Sequence, residues 1–421
     1  MAIAVIGMLD EREEALEIIR DRIQQRGHKA CLIDISVGAG AIVPALEADV
    51  SSRELAALAE ESSGLTLSRG DSATSIMTEG LKTKLSALYM AGDLQGVIAI
   101  TGMTGALISL PAMKQLPFGL PKLLISGATG QPAHAAKFGE YFALRDITLM
   151  HTVVDTVGMN PMVRALALNG ADAIAGMVEG GPVSLEGQKP CLALTEFGYC
   201  DRGAGYIRQI LADDYEIVSI HATGIGDKAA LDLAPQGIFG AFIDLVPGAF
   251  SEHLLGGNRT AGPHRLDLAM TLPIPYIFCP GGFDMISCGP PERRDRGDAL
   301  WESRRLAERK LFVDPPRVQA RTSAEEMEYL ASAVADRLNQ YENKARVKAI
   351  IPLGGFSSLS VEGAALHDPA SDRVFSTALA SRLDAAIELV EVDAHINSPI
   401  FARAVAEALA RAFTGLFSTA P

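Results

Sequence analysis

The sequence predicts an α/β protein with two doubly wound, mostly parallel-sheet domains of the Rossmann or flavodoxin type. Short apolar strands alternate with amphipathic helices along the chain, which is the pattern of parallel sheets covered by helices. The alternation pauses at Glu179-Gly180-Gly181-Pro182 and begins again after Lys189-Pro190. A chain of 421 residues, 48% of them hydrophobic, is long enough for two domains of ~100–200 residues each. We therefore expect an N-terminal domain over residues 1–182 and a C-terminal domain over residues 183–421.

Each domain is expected to contain a regular series of elements. Strands of the first are predicted at 2–6, 31–35, 97–100, 123–125 and 146–155, with helices at 15–23, 54–61, 74–92 and 160–178. Strands of the second are predicted at 191–194, 217–221, 238–245, 275–279, 349–352 and 387–392, with helices at 203–212, 226–233, 323–341 and 399–416. The charged stretch 289–305 is interpreted as a solvated face, or alternatively as a basic flap over an anionic ligand.

The composition excludes some functional classes. A net charge of −14 opposes nonspecific binding to nucleic acid or to an anionic membrane, so an anionic ligand would need local positive groups. Five cysteines without C-x-x-C spacing favour reduced thiols over a disulfide framework. The chain enters a strand at once, without a basic segment before an apolar core, and no stretch of ~18 apolar residues follows. We expect a cytoplasmic protein that binds neither nucleic acid nor membrane.

Two loops rich in glycine and hydroxyl residues follow consecutive strands of the first domain. They are Thr101-Gly102-Met103-Thr104-Gly105 and Ser126-Gly127-Ala128-Thr129-Gly130. If the strands are parallel, both loops lie at the carboxyl edge of the sheet, where open α/β sheets bind ligands. Small residues admit a ligand to the main chain, and helix N-termini favour an anion. The loops predict a phosphate or carboxylate site, although tight turns and helix caps would use the same residues.

Candidate catalytic residues follow strands of the second domain. His221, Asp244, Asp284 and His395 could serve as general acid and base or as metal ligands at one sheet edge. The alternative is that each is a structural hydrogen-bonding group. Ser357, His221 and Asp284 could together form a Ser-His-Asp catalytic triad, but no G-x-S-x-G motif supports this interpretation. In the first domain, Asp10 could cap a helix with Glu13, or contact a ribose hydroxyl or a cation.

Several segments, in this order and spacing, are similar to one family. They are Val153-Val154-Asp155, His221-Ala222-Thr223-Gly224, Gly256-Gly257, Gly262-Pro263 with Arg265, Pro280-Gly281 with Asp284-Met285, Gly355-Phe356-Ser357 and Asp393-Ala394-His395-Ile396-Asn397. Together they resemble the Tm-one-like ATP-binding proteins, named for the tomato mosaic virus resistance protein and including many bacterial members. The resemblance implies two domains facing a cleft, ATP on the N-terminal domain and a homodimer. It also implies a separate (β/α)-barrel partner, since this chain ends at Pro421 without one.

The chain differs from the family mainly at positions that would face phosphate. Of the family's first loop only Gly7, Asp10 and Glu14 remain, with Arg12 where the family has lysine. Lost glycines and added acids predict a weaker triphosphate site. ATP, with Mg²⁺ as its companion cation, is the ligand implied by the resemblance, and a smaller anionic metabolite is the alternative. An enzyme acting in the interdomain cleft and a protein-interaction module remain competing functions.

Overall fold

The computed structural model describes residues 1–9, 12–37, 44–181, 187, 189–267 and 273–414. The chain divides into two compact units, Met1–Leu185 and Glu186–Pro421. Each unit has a parallel sheet covered by helices, which confirms the predicted fold class. In the described parts of the chain, every helix is too short or too polar to cross a lipid bilayer.

The first unit has a five-stranded sheet with the order β2-β1-β3-β4-β5 and parallel pairing throughout. Its strands are β1 Ala2–Gly7, β2 Ala30–Asp34, β3 Leu94–Ile100, β4 Lys122–Ile125 and β5 Thr148–Met150. Its helices are α1 Glu13–Gln25, α2 Ser52–Ser63, α3 Ala73–Met90, α4 Met103–Lys114, α5 Ala135–Leu144 and α6 Pro161–Glu179. This is the flavodoxin-type order, in which the direction of winding reverses between β1 and β3.

The sequence dictates these elements through burial and capping. Strand β1 is buried on both faces, which explains its continuous apolar run. Helix α1 turns Leu16, Ile19 and Ile23 toward the sheet, at helical spacing. Helix α6 begins as predicted at Asn160, whose side chain accepts hydrogen bonds from two amides of the first turn. Helix α1 itself begins after Arg12, without a side-chain cap, and Asp10 of the predicted capping box lies outside the described residues.

The fifth strand is much shorter than predicted. The apolar run 146–155 was expected to be one strand, but only Thr148–Met150 pairs with β4. The chain then turns at Thr152, whose carbonyl accepts a 2.6 Å hydrogen bond from the Val154 amide. That three-residue turn needs a positive φ at Val153, which a β-branched run does not reveal in the sequence. The residues after β5 therefore form a loop at the sheet edge.

The second unit has a six-stranded parallel sheet with the order β14-β13-β9-β8-β6-β7. Its strands are β6 Cys191–Glu196, β7 Glu216–His221, β8 Ala241–Asp244, β9 Tyr276–Phe278, β13 Val347–Pro352 and β14 Glu388–Val392. Its helices are α7 Asp201–Leu211, α8 Ile225–Leu233, α9 Gly248–Leu255, α10 Glu292–Asp295, α11 Ala299–Ser303, α12 Ala324–Leu338, α13 Pro369–Arg382 and α14 Pro399–Thr414.

A small antiparallel sheet in the second unit was not predicted. It consists of β10 Met285–Ser287, β11 Leu311–Asp314 and β12 Arg317–Arg321, in the order β10-β12-β11. Strand β12 alternates apolar with polar residues, but the polar side chains of Gln319 and Arg321 are buried as well as Val318 and Ala320. A short run with buried arginine and glutamine does not indicate a core strand in the sequence. Within the neighbouring charged stretch 289–305, Arg293 pairs with Asp298. Arg304 of the same stretch pairs with Glu326 of α12 and so links the stretch to that helix.

Close packing of α2 on α3 yields a first prediction. A Cβ on Gly80 of α3 would lie 2.0 Å from the Leu55 carbonyl oxygen, a backbone atom that cannot move aside easily. Gly80→Ala should therefore lower the free energy of unfolding by about 1–3 kcal/mol. Gly139→Ala in α5 meets nothing within 4 Å and should be neutral or raise stability by about 0.5–1 kcal/mol. Urea unfolding followed by circular dichroism measures both, and equal effects would contradict the packing argument.

Candidate functional site

A cavity of about 410 Å³ lies at the carboxyl edge of the first unit's sheet. Residues after four strands line it: Arg12 after β1, 101–103 after β3, Gly127, Ala128 and Gln131 after β4, and 151–156 after β5. The edge next to the reversal point of a doubly wound sheet is the usual ligand position in such folds. Both predicted loops therefore contribute to one cavity.

The loop after β3 presents the N-terminus of a long helix. Gly102 is the N-cap of α4 and has no side chain that could bond the first-turn amides. Those amides have no acceptor within the helix, and the helix dipole gives this end a partial positive charge. Gly102 and Met103 line the cavity. The arrangement favours an anion at the start of α4.

The hydroxyl of Thr101 is buried at the same place and has no hydrogen-bond partner among the described residues. The residue is 2% exposed and lines the cavity. A buried hydroxyl without a partner costs about 1–3 kcal/mol, so an oxygen-bearing ligand or a water molecule would restore that energy. Gly105 lies beneath it, because a Cβ there would be 2.7 Å from the Thr101 methyl group. The glycine at 105 thus fixes the position of Thr101.

Arg12 brings a permanent positive charge to the cavity. Its Nε donates a 2.9 Å hydrogen bond to the Thr156 hydroxyl, and one terminal nitrogen lies 3.7 Å from the Asp155 carboxylate. A Cβ on Gly102 would be 2.9 Å from that same terminal nitrogen. The glycine therefore allows Arg12 to lie across the start of α4. Arg12 was not a predicted site residue, although its place in the first βα turn could have indicated one.

The loop after β4 differs in structure from the loop after β3. It forms a three-residue 3₁₀ turn, Ala128–Gly130, rather than a long helix. The buried Ser126 hydroxyl accepts a 3.2 Å hydrogen bond from the Ala128 amide, and so closes its own turn. Gly127 and Ala128 line the cavity, while a Cβ on Gly130 would be 2.9 Å from the His151 ring. This loop supplies a wall of the cavity without a second helix N-terminus.

Other predicted binding residues of the first domain lie at or behind this edge. Gly7 ends β1, and a Cβ there would be 2.6 Å from the Leu16 side chain, which gives the glycine a packing role. Thr104 is half-buried in the first turn of α4, outside the cavity lining. Asp10 lies outside the described residues.

The loop after β5 is strained where it borders the cavity. Val153 has a φ of 64°, a left-handed conformation that is rare for a β-branched residue, and its side chain is 80% exposed. The Thr152 hydroxyl holds the turn by donating a 2.6 Å hydrogen bond to the Val154 carbonyl. Strain of this kind is typical of ligand sites.

Asp244, a predicted catalytic residue of the second domain, is part of a buried structural network. Its carboxylate accepts two 2.7 Å hydrogen bonds from Arg265, a 2.7 Å bond from the Thr195 hydroxyl and a 2.5 Å bond from Tyr276. Arg265 also bonds Asp227. Burial lowers the pKa of Arg265, but the two carboxylates more than offset this, so its pKa lies well above the ordinary value. Asp244 thus accepts four hydrogen bonds from neighbouring side chains inside the protein.

The remaining three candidates of the second domain do not form one site. His221 is exposed at the end of β7, and His395 follows β14; these outer strands are five strand spacings, roughly 24 Å, apart. Asp284 is buried and accepts a 2.5 Å hydrogen bond from Ser357, so this pair of the written triad does meet. One oxygen of Asp284 and the Nδ1 of His395 are buried without a partner among the described atoms.

A second buried carboxylate lies near Asp284. Arg321 donates a 2.5 Å hydrogen bond to Asp372 and a 3.4 Å bond to the Asp284 carbonyl. Burial raises the pKa of Asp372 to about 7; Arg321 lowers it, and the Asp284 carboxylate raises it further. This interior therefore holds two carboxylates for one arginine, and Asp372 carries the compensating proton at acidic pH.

Comparison with known proteins identifies the family. The N-terminal domain of "Uncharacterised protein family (UPF0261)" matches residues 1–182, and its C-terminal domain matches residues 189–413. The chain belongs to the UPF0261 family. This confirms the predicted resemblance, because the relatives include both bacterial UPF0261 proteins and a tomato protein named ToMV resistance protein Tm-1.

The bacterial UPF0261 relatives match over almost their whole length. One from Clostridium tetani is 28% identical over 411 residues, which is 97% of this chain and 98% of the relative. Another from Rhizobium meliloti is 28% identical over 409 residues, or 96% of this chain and 98% of the relative. The tomato protein is 27% identical over 359 residues, covering 83% of this chain but 46% of that protein.

The strained turn gives a prediction about stability. Val153→Gly should raise the free energy of unfolding by about 1 kcal/mol, because glycine adopts a positive φ freely and the exposed valine side chain loses little contact. Val157→Gly, in the same loop and without a positive φ, should lower stability by a similar amount. Thermal unfolding compares the two variants. A Val153→Gly protein less stable than the wild type would show that the turn is not strained.

The buried carboxylates give a prediction about pH. The folded-state pKa of Asp372, about 7, exceeds the ordinary value near 3.9, so its contribution to stability is full below about pH 4 and is lost as pH rises through 7. Relative to Asp372→Asn, which cannot ionise, the wild type should lose on the order of 1–4 kcal/mol between pH 4 and pH 8. Urea unfolding at several pH values measures this difference. The control is Asp295→Asn, at an exposed carboxylate, whose stability should depend on pH in the same way as that of the wild type. The same parallel dependence for Asp372→Asn would contradict a raised pKa of Asp372.

Proposed function

We propose that this protein binds a phosphorylated ligand of the nucleotide type in the cavity of its N-terminal domain. The observation that carries the proposal is the meeting of three anion-binding features around Gly102: the uncapped start of α4, the Arg12 guanidinium and the unpartnered Thr101 hydroxyl. Each feature offers N–H or O–H donors to a negatively charged oxygen. ATP with Mg²⁺, which the family resemblance implies, is one candidate ligand.

The proposed binding mode follows from these groups. One phosphate would accept hydrogen bonds from the first-turn amides of α4, while the nearby Arg12 guanidinium would neutralise its charge. The Thr101 hydroxyl would donate to a phosphate oxygen and so recover the energy lost by its burial. Gln131, His151 and Met103, which also line the cavity, would contact the organic part of the ligand. The glycine at 102 is needed because a side chain there would displace Arg12.

The competing functions have less support. An enzyme using Asp244 would have to break a network in which that carboxylate already accepts four hydrogen bonds. His221 and His395 stand at opposite sides of the second sheet. The homodimer and the separate (β/α)-barrel partner remain predictions from the family resemblance, and they are compatible with ligand binding.

A pair of isosteric variants tests the proposal. Thr101→Val removes the hydroxyl that faces the cavity, whereas Thr129→Val removes a hydroxyl that is equally buried and unpartnered but does not line it. Both variants should be as stable as the wild type or slightly more so, since neither hydroxyl bonds a described group. Thr101→Val should weaken phosphorylated-ligand binding about tenfold, the loss of one hydrogen bond worth ~1–1.5 kcal/mol, and Thr129→Val should leave it unchanged.

The readout is isothermal titration calorimetry with AMP, ribose 5-phosphate and ATP with Mg²⁺, and thermal unfolding checks the fold of each variant. Equal affinities of the wild type and Thr101→Val for these compounds would show that the Thr101 hydroxyl does not contact the ligand. The proposal as a whole fails if the wild type binds none of these phosphorylated compounds.

A further inference from the structure

We infer that the cavity takes a ligand with a single phosphoryl group, a phosphomonoester such as a nucleoside monophosphate or a sugar phosphate, in preference to a polyphosphate. The inference rests on the proposed function and narrows it. It follows from the number of anion-binding positions, the charge of the lining and the size of the cavity.

The cavity has one helix N-terminus for an anion. The sequence offers two glycine-rich loops, and a polyphosphate could bind across two such helix starts. Only the loop after β3 leads into a long helix, α4 Met103–Lys114, whereas the loop after β4 leads into a three-residue turn. In that turn the Ala128 amide already bonds the Ser126 hydroxyl. Within the described lining, one position is therefore available for a phosphoryl group.

The charge of the described lining limits the number of phosphoryl groups that the cavity can hold. Among the described lining residues Arg12 is the one permanent cation, and Asp155 lies 3.7 Å from it. A phosphomonoester carries a charge of about −1.5 to −2 at pH 7. A triphosphate would bring two further charged groups without further arginine or lysine side chains to meet them.

The cavity dimensions agree with this assignment. Its volume of about 410 Å³ is near the lower end of the ~300–1,000 Å³ usual for ligand pockets. The lining combines the polar side chains of Gln131 and His151 with the small residues Gly127 and Ala128. Polar side chains beside small residues suit sugar hydroxyls, which need hydrogen bonds and close approach.

AMP and ATP are a matched pair of probes, because they share one nucleoside and differ in phosphoryl number. Calorimetric titration of the full chain at constant ionic strength, with a chelator present, should give at least tenfold tighter binding of AMP than of ATP. Asp155→Asn should narrow this gap, since it removes a negative charge that repels the additional phosphoryl groups. Ribose 5-phosphate and inorganic phosphate show how much affinity the single phosphoryl group supplies alone.

Site variants locate the binding. Arg12→Gln should weaken AMP binding at least tenfold. The control is Arg20→Gln in α1, which should leave AMP binding unchanged because Arg20 pairs with Glu17 and Asp21 and does not line the cavity. Gly102→Glu should abolish it, with circular dichroism as the check on folding. AMP binding that survives both Arg12→Gln and Gly102→Glu would place the ligand elsewhere and overturn the inference.

Each titration result has a distinct meaning. If ATP binds more tightly than AMP, with or without MgCl₂, the single-phosphoryl inference is wrong while the proposed function stands. If neither AMP, ribose 5-phosphate nor ATP binds, the proposed function fails and the inference falls with it. Tighter binding of AMP or ribose 5-phosphate than of ATP supports both.

Discussion

Parallel pairing of β1, β3, β4 and β5 is the constraint on which the cavity depends. Because every strand of this sheet runs in the same direction, four strand ends meet at one edge, and residues far apart in sequence line one cavity. The reversal of winding beside β1 separates the helices that follow neighbouring strands and leaves space between them. Arg12 and Thr101 line the same cavity because they follow β1 and β3, which are adjacent parallel strands.

The second unit uses the same edge in another way. Two carboxylates that follow its strands, Asp244 and Asp284, are buried and bonded inside the protein. Asp244 accepts hydrogen bonds from Arg265, Thr195 and Tyr276, and Asp284 accepts one from Ser357. Buried ion pairs of this kind are costly to break and contribute little net stability when complete, so their main effect is to fix the local arrangement. A carboxylate at the end of a strand is therefore a weak indicator of catalysis.

Much of the fold could be predicted from the sequence, because strands and helices of a doubly wound sheet have distinct apolar periods. The start of α6 was predictable from Asn160-Pro161, where cap and first-turn chemistry are local. The two glycine-rich loops were predictable for the same reason. Other features could not be predicted, because they depend on the three-dimensional surroundings. The early end of β5 depends on the turn at Val153. Strand β12 depends on a buried environment for Arg321. The role of Asp244 depends on Arg265, which is 21 residues away in the chain.

The position of Gly105 limits how this site can change over evolutionary time. Its hydrogen atom lies where a larger group would press on the Thr101 methyl and rotate the hydroxyl, although residue 105 does not line the cavity. The preference of the proposed ligand site could change through Met103 or Gln131, which line the cavity, while the Thr101 hydroxyl stays in place. A substitution at 105 would alter the proposed site indirectly, by moving Thr101. Residues 103 and 131 can therefore vary independently of the pair formed by Thr101 and Gly105.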